Sequence, residues 1–481
     1  MSNFYHRLLE QSEGKTLEFK RDLSSQKPMM KALVAFANTA GGRLIIGVSD
    51  DRQVLGVEDP LSQEERLCSM IADSIAPRLV PNIEMITIED KTLLIAEVFL
   101  SGSRPHFIRS QGPETGVYVR LGSTNRQADR ELIAELRRSV EGVAFDEMPM
   151  PELSIDDIDT KALAQSFREK SPVTEAELRT LKLLVPCQDR LVPSKGAIIL
   201  FGRDRGFYFS DVWVQCGRFV GKDRTDIFDH MELYDHLPQA VDSIMLFLKK
   251  HAMRGADFSE VRRKDVWSIP LGILREAVIN ALVHADYSQR GAPIRIAFFD
   301  DRIEIENPGI LLPGMTIEDM KQGVSKIRNP VIARVFRELN LIEQWGTGVR
   351  RIFKEAQELG LPEPRIVELG MRLRFIVPLA DKVHVEIKKT TEQVTHQVAL
   401  QVTPQVMRLL KKVEGEMSRS QLMKAVKLKD RVNFSKSYLE PALSLNVIEM
   451  TQPDSPKSPT QKYRLTEKGQ RLLTTDGSKK G

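Results

Sequence analysis

The stretch LREAVINALVHADY, Leu274 to Tyr287, decides how this chain is read. Apolar residues recur around nearly every side of it at helical spacing, the mark of a core helix. Among the polar residues that interrupt the pattern, Glu276, Asn280 and His284 stand at i, i+4 and i+8 and share one face. A buried polar group without a partner costs about 1–3 kcal/mol, so the stripe needs a ligand in a cleft or an internal hydrogen-bond cluster. The spacing allows both. A carboxylate one turn from an amide can orient a water and hold a hydrated Mg2+ on nucleotide phosphates.

Working outward, residues 261–385 form one expected unit. Strands over Ile294–Phe299 and Arg302–Glu306 turn at Asp300-Asp301, and Asn307-Pro308-Gly309 and a loop with Pro313-Gly314 follow. Helices near 330–339 and 348–359 and a strand over Leu373–Val377 end it. Residues 141–260 read as a linker, with Pro149 and Pro151, and a connecting α/β region that carries no recognisable site. Its apolar run Ala197–Phe201 reads as a strand.

Residues 1–140 alternate helical and strand patterns: an amphipathic stretch over 28–37, Asn38-Thr39-Ala40-Gly41-Gly42, a strand over Arg43–Val48 and a turn at 50–53. Glu13, Glu18, Lys20 and Asp50 gather around LEFK and the end of that strand. Three converging carboxylates could hold one or two divalent metals for phosphodiester cleavage, with Lys20 near the phosphate. Alternatively they are acids on separate turns. Arg21, Lys31, Arg43, Arg120 and Arg126 offer phosphate contacts, with Asn38 as a polar neighbour.

A polar tract of low complexity over 386–406 reads as a linker. Over 407–475, helices near 407–413, 420–425 and 434–445 precede a two-stranded hairpin, the winged-helix order. Lys424, Lys427, Lys429, Arg431 and Lys436 cluster before and in the expected recognition helix.

Composition narrows the class. The 481 residues are 41% hydrophobic and 28% charged, which excludes wholesale disorder. No apolar run reaches the ~18–20 residues that cross a bilayer, and the N-terminus lacks an apolar signal region. Three separated cysteines, Cys68, Cys187 and Cys216, read as reduced thiols rather than a zinc site, so a cytoplasmic protein without a membrane partner is expected. The net charge is +4, yet residues 385–481 hold 18 basic against 10 acidic residues, a basic tail suited to a polyanion.

Three stretches resemble known families. Glu276–Asn280 with His284-Ala285-Asp286-Tyr287 resembles the N box of GHKL ATPases, in the divergent branch found in bacterial proteins classed with transcriptional regulators. Glu306-Asn307-Pro308-Gly309, Ser325-Lys326-Ile327-Arg328-Asn329-Pro330 and Gly346-Thr347-Gly348-Val349-Arg350 follow in that family's order. The resemblance implies Glu276 as water-orienting base and Asn280 as Mg2+ ligand. It places Glu306, Asn307 and Gly309 at the adenine loop, and Gly346, Thr347 and Gly348 at the phosphates, with His284, Lys326 and Arg328 also at the nucleotide. Either Glu306 or Asn307 replaces the usual adenine-reading Asp, and the lid is short. GKTLEFKRDL, AFANTAGGRLIIGVSDD and YVRLGSTNRQA resemble the AlbA-like domain of the Schlafen family, in whose nucleases Glu13, Glu18 and Asp50 match metal-binding positions. Most of 395–472 resembles a winged helix.

The expected fold is therefore multidomain α/β (α+β): an AlbA-like α/β domain, a GHKL-like α/β sandwich and a C-terminal winged helix. The expected function is an ATP-binding, nucleic-acid-binding regulator of DNA or RNA, homo-oligomeric, with slow Mg2+-dependent ATPase activity. The alternative is a metal-dependent Schlafen-type endonuclease, using Mg2+ or Mn2+, acting on tRNA or other RNA and gated by ATP. A third reading makes the ATPase fold a scaffold for interaction only, against which the retention of both Glu276 and Asn280 counts.

Overall fold

The computed structural model describes residues 7–167, 173–257, 264–267, 269–342, 348–358, 360–379, 404–426, 428, 434–445, 447–452, 461–466 and 469–470. The chain divides into two compact units, Met1–His384 and Val385–Gly481. Among the described residues no helix is long and apolar enough to cross a membrane.

The first unit begins with a four-stranded sheet in the order Leu17–Lys20, Gly42–Ile46, Lys91–Val98, Asn82–Ile88. Leu17–Lys20 runs parallel to Gly42–Ile46, so a crossover must join them, and the helix Gln26–Asn38 supplies it. Met29, Leu33 and Phe36 of that helix are fully buried against Leu44, Ile46 and Leu94. Leu17 and Phe19 alternate to the opposite face, where they join Ile45 and Ile95. Both faces of the short strand are thus covered, and Glu18 between them is buried too.

A six-stranded sheet forms the centre of the unit. Its order is Asp226–Leu233, Val214–Val220, Ile294–Phe298, Arg302–Pro308, Arg372–Pro378, Arg365–Leu369. Two of these strands come from the region read as connecting, so the sheet crosses the boundary expected at residue 260. Val214–Val220 pairs parallel with Ile294–Phe298, and the helices Leu237–Ala252 and Leu271–His284 lie in the connection. Ile244, Leu248, Leu274, Val278 and Leu282 share one core with Ile296, Phe298, Ile303 and Ile305. The run Ala197–Phe201 is helical, not extended: Lys195–Phe201 is a buried helix whose N-terminus is capped by Ser194. A short apolar run bounded by a capping serine fits both states, and core packing on all sides selects the helix.

The second unit holds helices Pro404–Leu410 and Arg419–Ala425, then 435–444, and where a two-stranded hairpin was expected it has a three-stranded antiparallel sheet of Met417–Ser418, Lys462–Leu465 and Ile448–Met450. Val406, Leu409, Leu422, Phe434, Leu439, Ile448 and Tyr463 make its core.

Candidate nucleotide cavity and its surroundings

The helix Leu271–His284 buries Leu274, Val278 and Leu282, and its polar stripe opens onto a cavity of about 440 Å³, a volume suited to a small ligand. Glu276, Asn280 and His284 all line it. Facing them are Asn307 from the sheet, Lys326 and Arg328 from the following loop, Gly348 at a helix start, and an apolar wall that includes Ile305, Leu311, Met315, Ile352 and Phe375.

Asn280 donates its Nδ2 to Glu276 Oε1 at 3.1 Å, which leaves Asn280 Oδ1 without a protein donor among the described residues. Glu276 Oε2 lies 3.3 Å from the Arg351 guanidinium. A side chain at Gly348 would put its Cβ 1.6 Å from Glu276 Oε1; only glycine lets this helix start come so close to the carboxylate. Burial, and then the Arg328 charge, push the His284 imidazole down to about 4, so it stands neutral at pH 7.

Three expected nucleotide residues are turned elsewhere. Glu306 alternates with Ile305 and Asn307, so it points to the other face of the sheet. There Arg374 holds its carboxylate at 2.7 Å and Arg372 at 3.1 Å, and the adenine-reading role expected of it is corrected by that orientation. Arg328 touches the cavity, but its guanidinium is engaged by Glu135 and by the Ile310 carbonyl. Lys326 donates to the Pro313 carbonyl at 2.9 Å. Gly309 lies on the same loop with φ of +100° and packs against Asp286 and Arg328, where a Cβ would meet Asp286 at 2.8 Å. Gly346 and Thr347 lie outside the described residues.

The N-terminal carboxylates do not gather. Glu18 gives one oxygen to Lys20 at 2.6 Å and the other to Arg120 at 2.5 Å. Glu13 accepts the Phe19 N–H at 2.8 Å, and Asp50 is exposed in its turn. Among the described residues no three His, Cys, Asp or Glu side chains are placed to hold a metal. The donor set expected for Mg2+ or Mn2+ is therefore corrected: Lys20 and Arg120 occupy the Glu18 oxygens that a metal would need.

Several expected phosphate contacts change character as well. Arg120 is a core residue. Beyond Glu18, it donates to Gly14 O at 3.0 Å, Asn125 Oδ1 at 2.9 Å and Leu17 O at 3.3 Å, and it lies over the Phe36 ring. Arg43 pairs with Glu97 at 2.5 Å, and Lys31 stands over the Tyr118 ring. Asn38 ties the His106 and Tyr118 backbones together. Arg21 and Arg126 are exposed. Lys427, Lys429 and Arg431 lie outside the described residues, as does the side chain of Lys436.

Two buried carboxyls were missed in the sequence. Asp146 accepts the Val331 and Ile332 N–H groups at 2.7 and 3.0 Å, capping the helix Pro330–Glu338, and burial raises it to about 7. Glu135 carries the ion pair to Arg328. No spacing rule reaches partners more than 180 residues away.

Comparisons with known proteins agree with this layout. Residues 13–129 match the family described as "Schlafen, AlbA_2". Residues 291–377 match "Putative ATP-dependent DNA helicase recG C-terminal", a range that begins after the helix bearing Glu276 and Asn280. Residues 404–466 match "Filamentation induced by cAMP protein Fic-like, C-terminal domain". No curated protein matches the chain. Among solved structures, the DIP2311 protein of Corynebacterium diphtheriae is 17% identical over 98% of this chain and 97% of its own, with a TM-score of 0.42. The N-terminal domain of a RecG-related protein from Nitrosomonas europaea is 26% identical over 26% of this chain and 92% of its own, with a TM-score of 0.22. A Fic family protein from Desulfovibrio desulfuricans G20 is 16% identical over 71% and 77%, with a TM-score of 0.14. The chain is thus a multidomain α/β protein with a Schlafen AlbA_2 domain in its N-terminal part, a RecG-like HATPase region at its centre and a Fic-like domain in its C-terminal part.

Proposed function

We propose that the protein binds ATP with Mg2+ in the cavity beside the Leu271–His284 helix and acts as a nucleotide-dependent, nucleic-acid-binding regulator. One observation carries the reading: a largely apolar helix turns a polar stripe, Glu276, Asn280 and His284, onto a cavity with an apolar far wall. The apolar wall suits a purine, and the stripe suits phosphates and their cation.

The donor chemistry fits that cation. Asn280 Oδ1 is a hard oxygen of the kind a hydrated Mg2+ takes, and Gly348 leaves room beside Glu276 that a side chain would fill. Bound Mg2+ would neutralise phosphate charge. Glu276, held by Asn280 and Arg351, would orient a water, and neutral His284 would offer a hydrogen bond without adding charge. These roles support the reading of a slow ATPase. No observation favours the endonuclease, since Glu18 is committed to Lys20 and Arg120.

Calorimetry with ATP and Mg2+ tests the reading on the full chain. Asn280→Ala should lose Mg2+-dependent affinity while keeping the parent's melting temperature. Unchanged ATP affinity in that variant would sink the proposal.

A further inference from the structure

The face of the six-stranded sheet turned away from the cavity carries more positive charge than it can balance. Strand alternation and register place Arg302, Glu304 and Glu306 on it, opposite Arg295 on one neighbour and Arg372 and Arg374 on the other. Glu306 is ringed by four guanidinium groups: Arg374 at 2.7 Å, Arg372 at 3.1 Å, Arg224 at 3.8 Å and Arg295 at 3.9 Å. Glu304 takes Arg302 at 2.8 Å, Arg224 at 3.0 Å and Arg374 at 3.5 Å. Five arginines thus share these two carboxylates, with Asp301 taking a second bond from Arg302 at 2.9 Å, so positive charge still outnumbers negative.

The two carboxylates are buried, 5–6% exposed, whereas the arginines keep 17–39% of their side-chain surface open. Glutamates lie underneath and guanidinium groups above. The arginines also crowd one another. Burial lowers Arg372, with Arg295 and Arg224 acting in the same direction and Glu306 opposing them. A balanced ion-pair network would need no such surplus. The side chains are held in place from below, and a guanidinium already oriented loses little entropy when it meets a planar or tetrahedral anion. The Arg302 guanidinium stands over the Phe299 ring, 4.1 Å from its centre, and Phe299 stacks on Phe219, which fixes the edge of the array.

We infer that this arginine face of the central sheet is a docking surface for the phosphodiester backbone of a nucleic acid. The inference rests on the nucleic-acid reading above and names where contact is made. Adjacent strands lie about 4.8 Å apart, and the five arginines extend across neighbouring strands, so they meet successive phosphates rather than a single ion. The partner is the backbone, because what the surface offers is charge and oriented guanidinium groups, which meet phosphates.

The test uses the full chain and a double variant, Arg224→Gln with Arg295→Gln, the two most exposed of the five. Fluorescence anisotropy of a labelled duplex DNA 20-mer and of a single-stranded RNA of equal length is followed against salt. The double variant should bind one of them at least tenfold more weakly at about 0.1 M salt. Its slope of log K against log salt should fall by roughly 1.4–1.8, from about 0.7 per contact on single strands or 0.9 on duplex. Which probe responds identifies the nucleic acid. Parental affinity and slope with both probes would overturn the inference, as would failure of the parent to bind either. ATP calorimetry on the same variant should be unchanged, so failure here stays distinct from failure of the nucleotide reading. A second variant, Arg365→Gln, alters an exposed arginine on the edge strand. If the double variant unfolds, this one decides, with loss of about one contact's slope expected and an unchanged slope overturning the idea.

Discussion

Glu18 and Glu276 sit in two parts of one compact unit and show how differently a carboxylate can be held. Glu18 is enclosed by the first sheet and has a cation on each oxygen, one of them Arg120, itself fully buried. Glu276 has an amide on one oxygen, a half-exposed arginine on the other and an open cavity beside it. The first carboxylate is part of the core. The second still has work left for a ligand to do. Presence of an acid at an expected position does not separate these cases; the company it keeps does.

The largest effect should come from uncoupling the first pair. Arg120→Leu leaves Glu18 buried with one oxygen uncompensated and only Lys20 on the other, and should cost about 3–5 kcal/mol in chemical denaturation. A loss below about 1 kcal/mol would mean that water reaches Glu18 and that it is not locked. Glu276→Gln should do the opposite, changing stability by less than about 1 kcal/mol while lowering ATP turnover by about 10²–10⁴-fold. Equal hydrolysis in variant and parent would make Glu276 structural, and the contrast would collapse.

Asp146 extends the comparison to a buried acid held by two backbone N–H groups rather than by an ion pair among the described residues. Burial raises its folded value to about 7, well above the ordinary Asp value of 3.8. The native state therefore holds a proton that the unfolded chain has released, and stability falls as pH rises from about 4 to about 7. The fall is at most about 1.4 kcal/mol per pH unit from this group. Asp146→Asn should flatten the slope of stability against pH in that window. An identical slope in the variant would place the titration elsewhere. The smallest effects should appear at the remaining N-terminal acids. Glu13→Ala should cost about 0.5–1.5 kcal/mol through the lost bond to the Phe19 N–H, and Asp50→Asn about 0.5 kcal/mol or less. Metal-dependent stabilisation lost in both variants would show that they act together after all.

Much of this was legible from local pattern. The polar stripe on the Leu274–Tyr287 stretch forecast the cavity because a helix brings i, i+4 and i+8 together wherever it packs. The same periodicity argument, applied to Arg302–Pro308, separates Glu306 from Asn307 and would have shown that only one of them faces the cavity. The family resemblance placed both at the adenine loop without asking which face each takes. The partnership of Glu18 with Arg120 could not be read, because it depends on a pairing across 102 residues and on strand faces both being covered. The recruitment of Val214–Val220 and Asp226–Leu233 into the central sheet was hidden for the same reason. A strand carries no mark of which neighbour it will choose.

The segment 141–154 was read as a loose connector, and Asp146 at its centre is instead bound to the start of the Pro330–Glu338 helix. Other ties bridge the same two regions: Lys15 to Glu368 at 2.8 Å, Glu135 to Arg328, and Ile310 packed with Val117, Leu132 and Leu136. Covalent continuity there is consequently redundant. A protease that nicks the exposed backbone around Gly142 should yield two fragments on a denaturing gel and a single particle in solution.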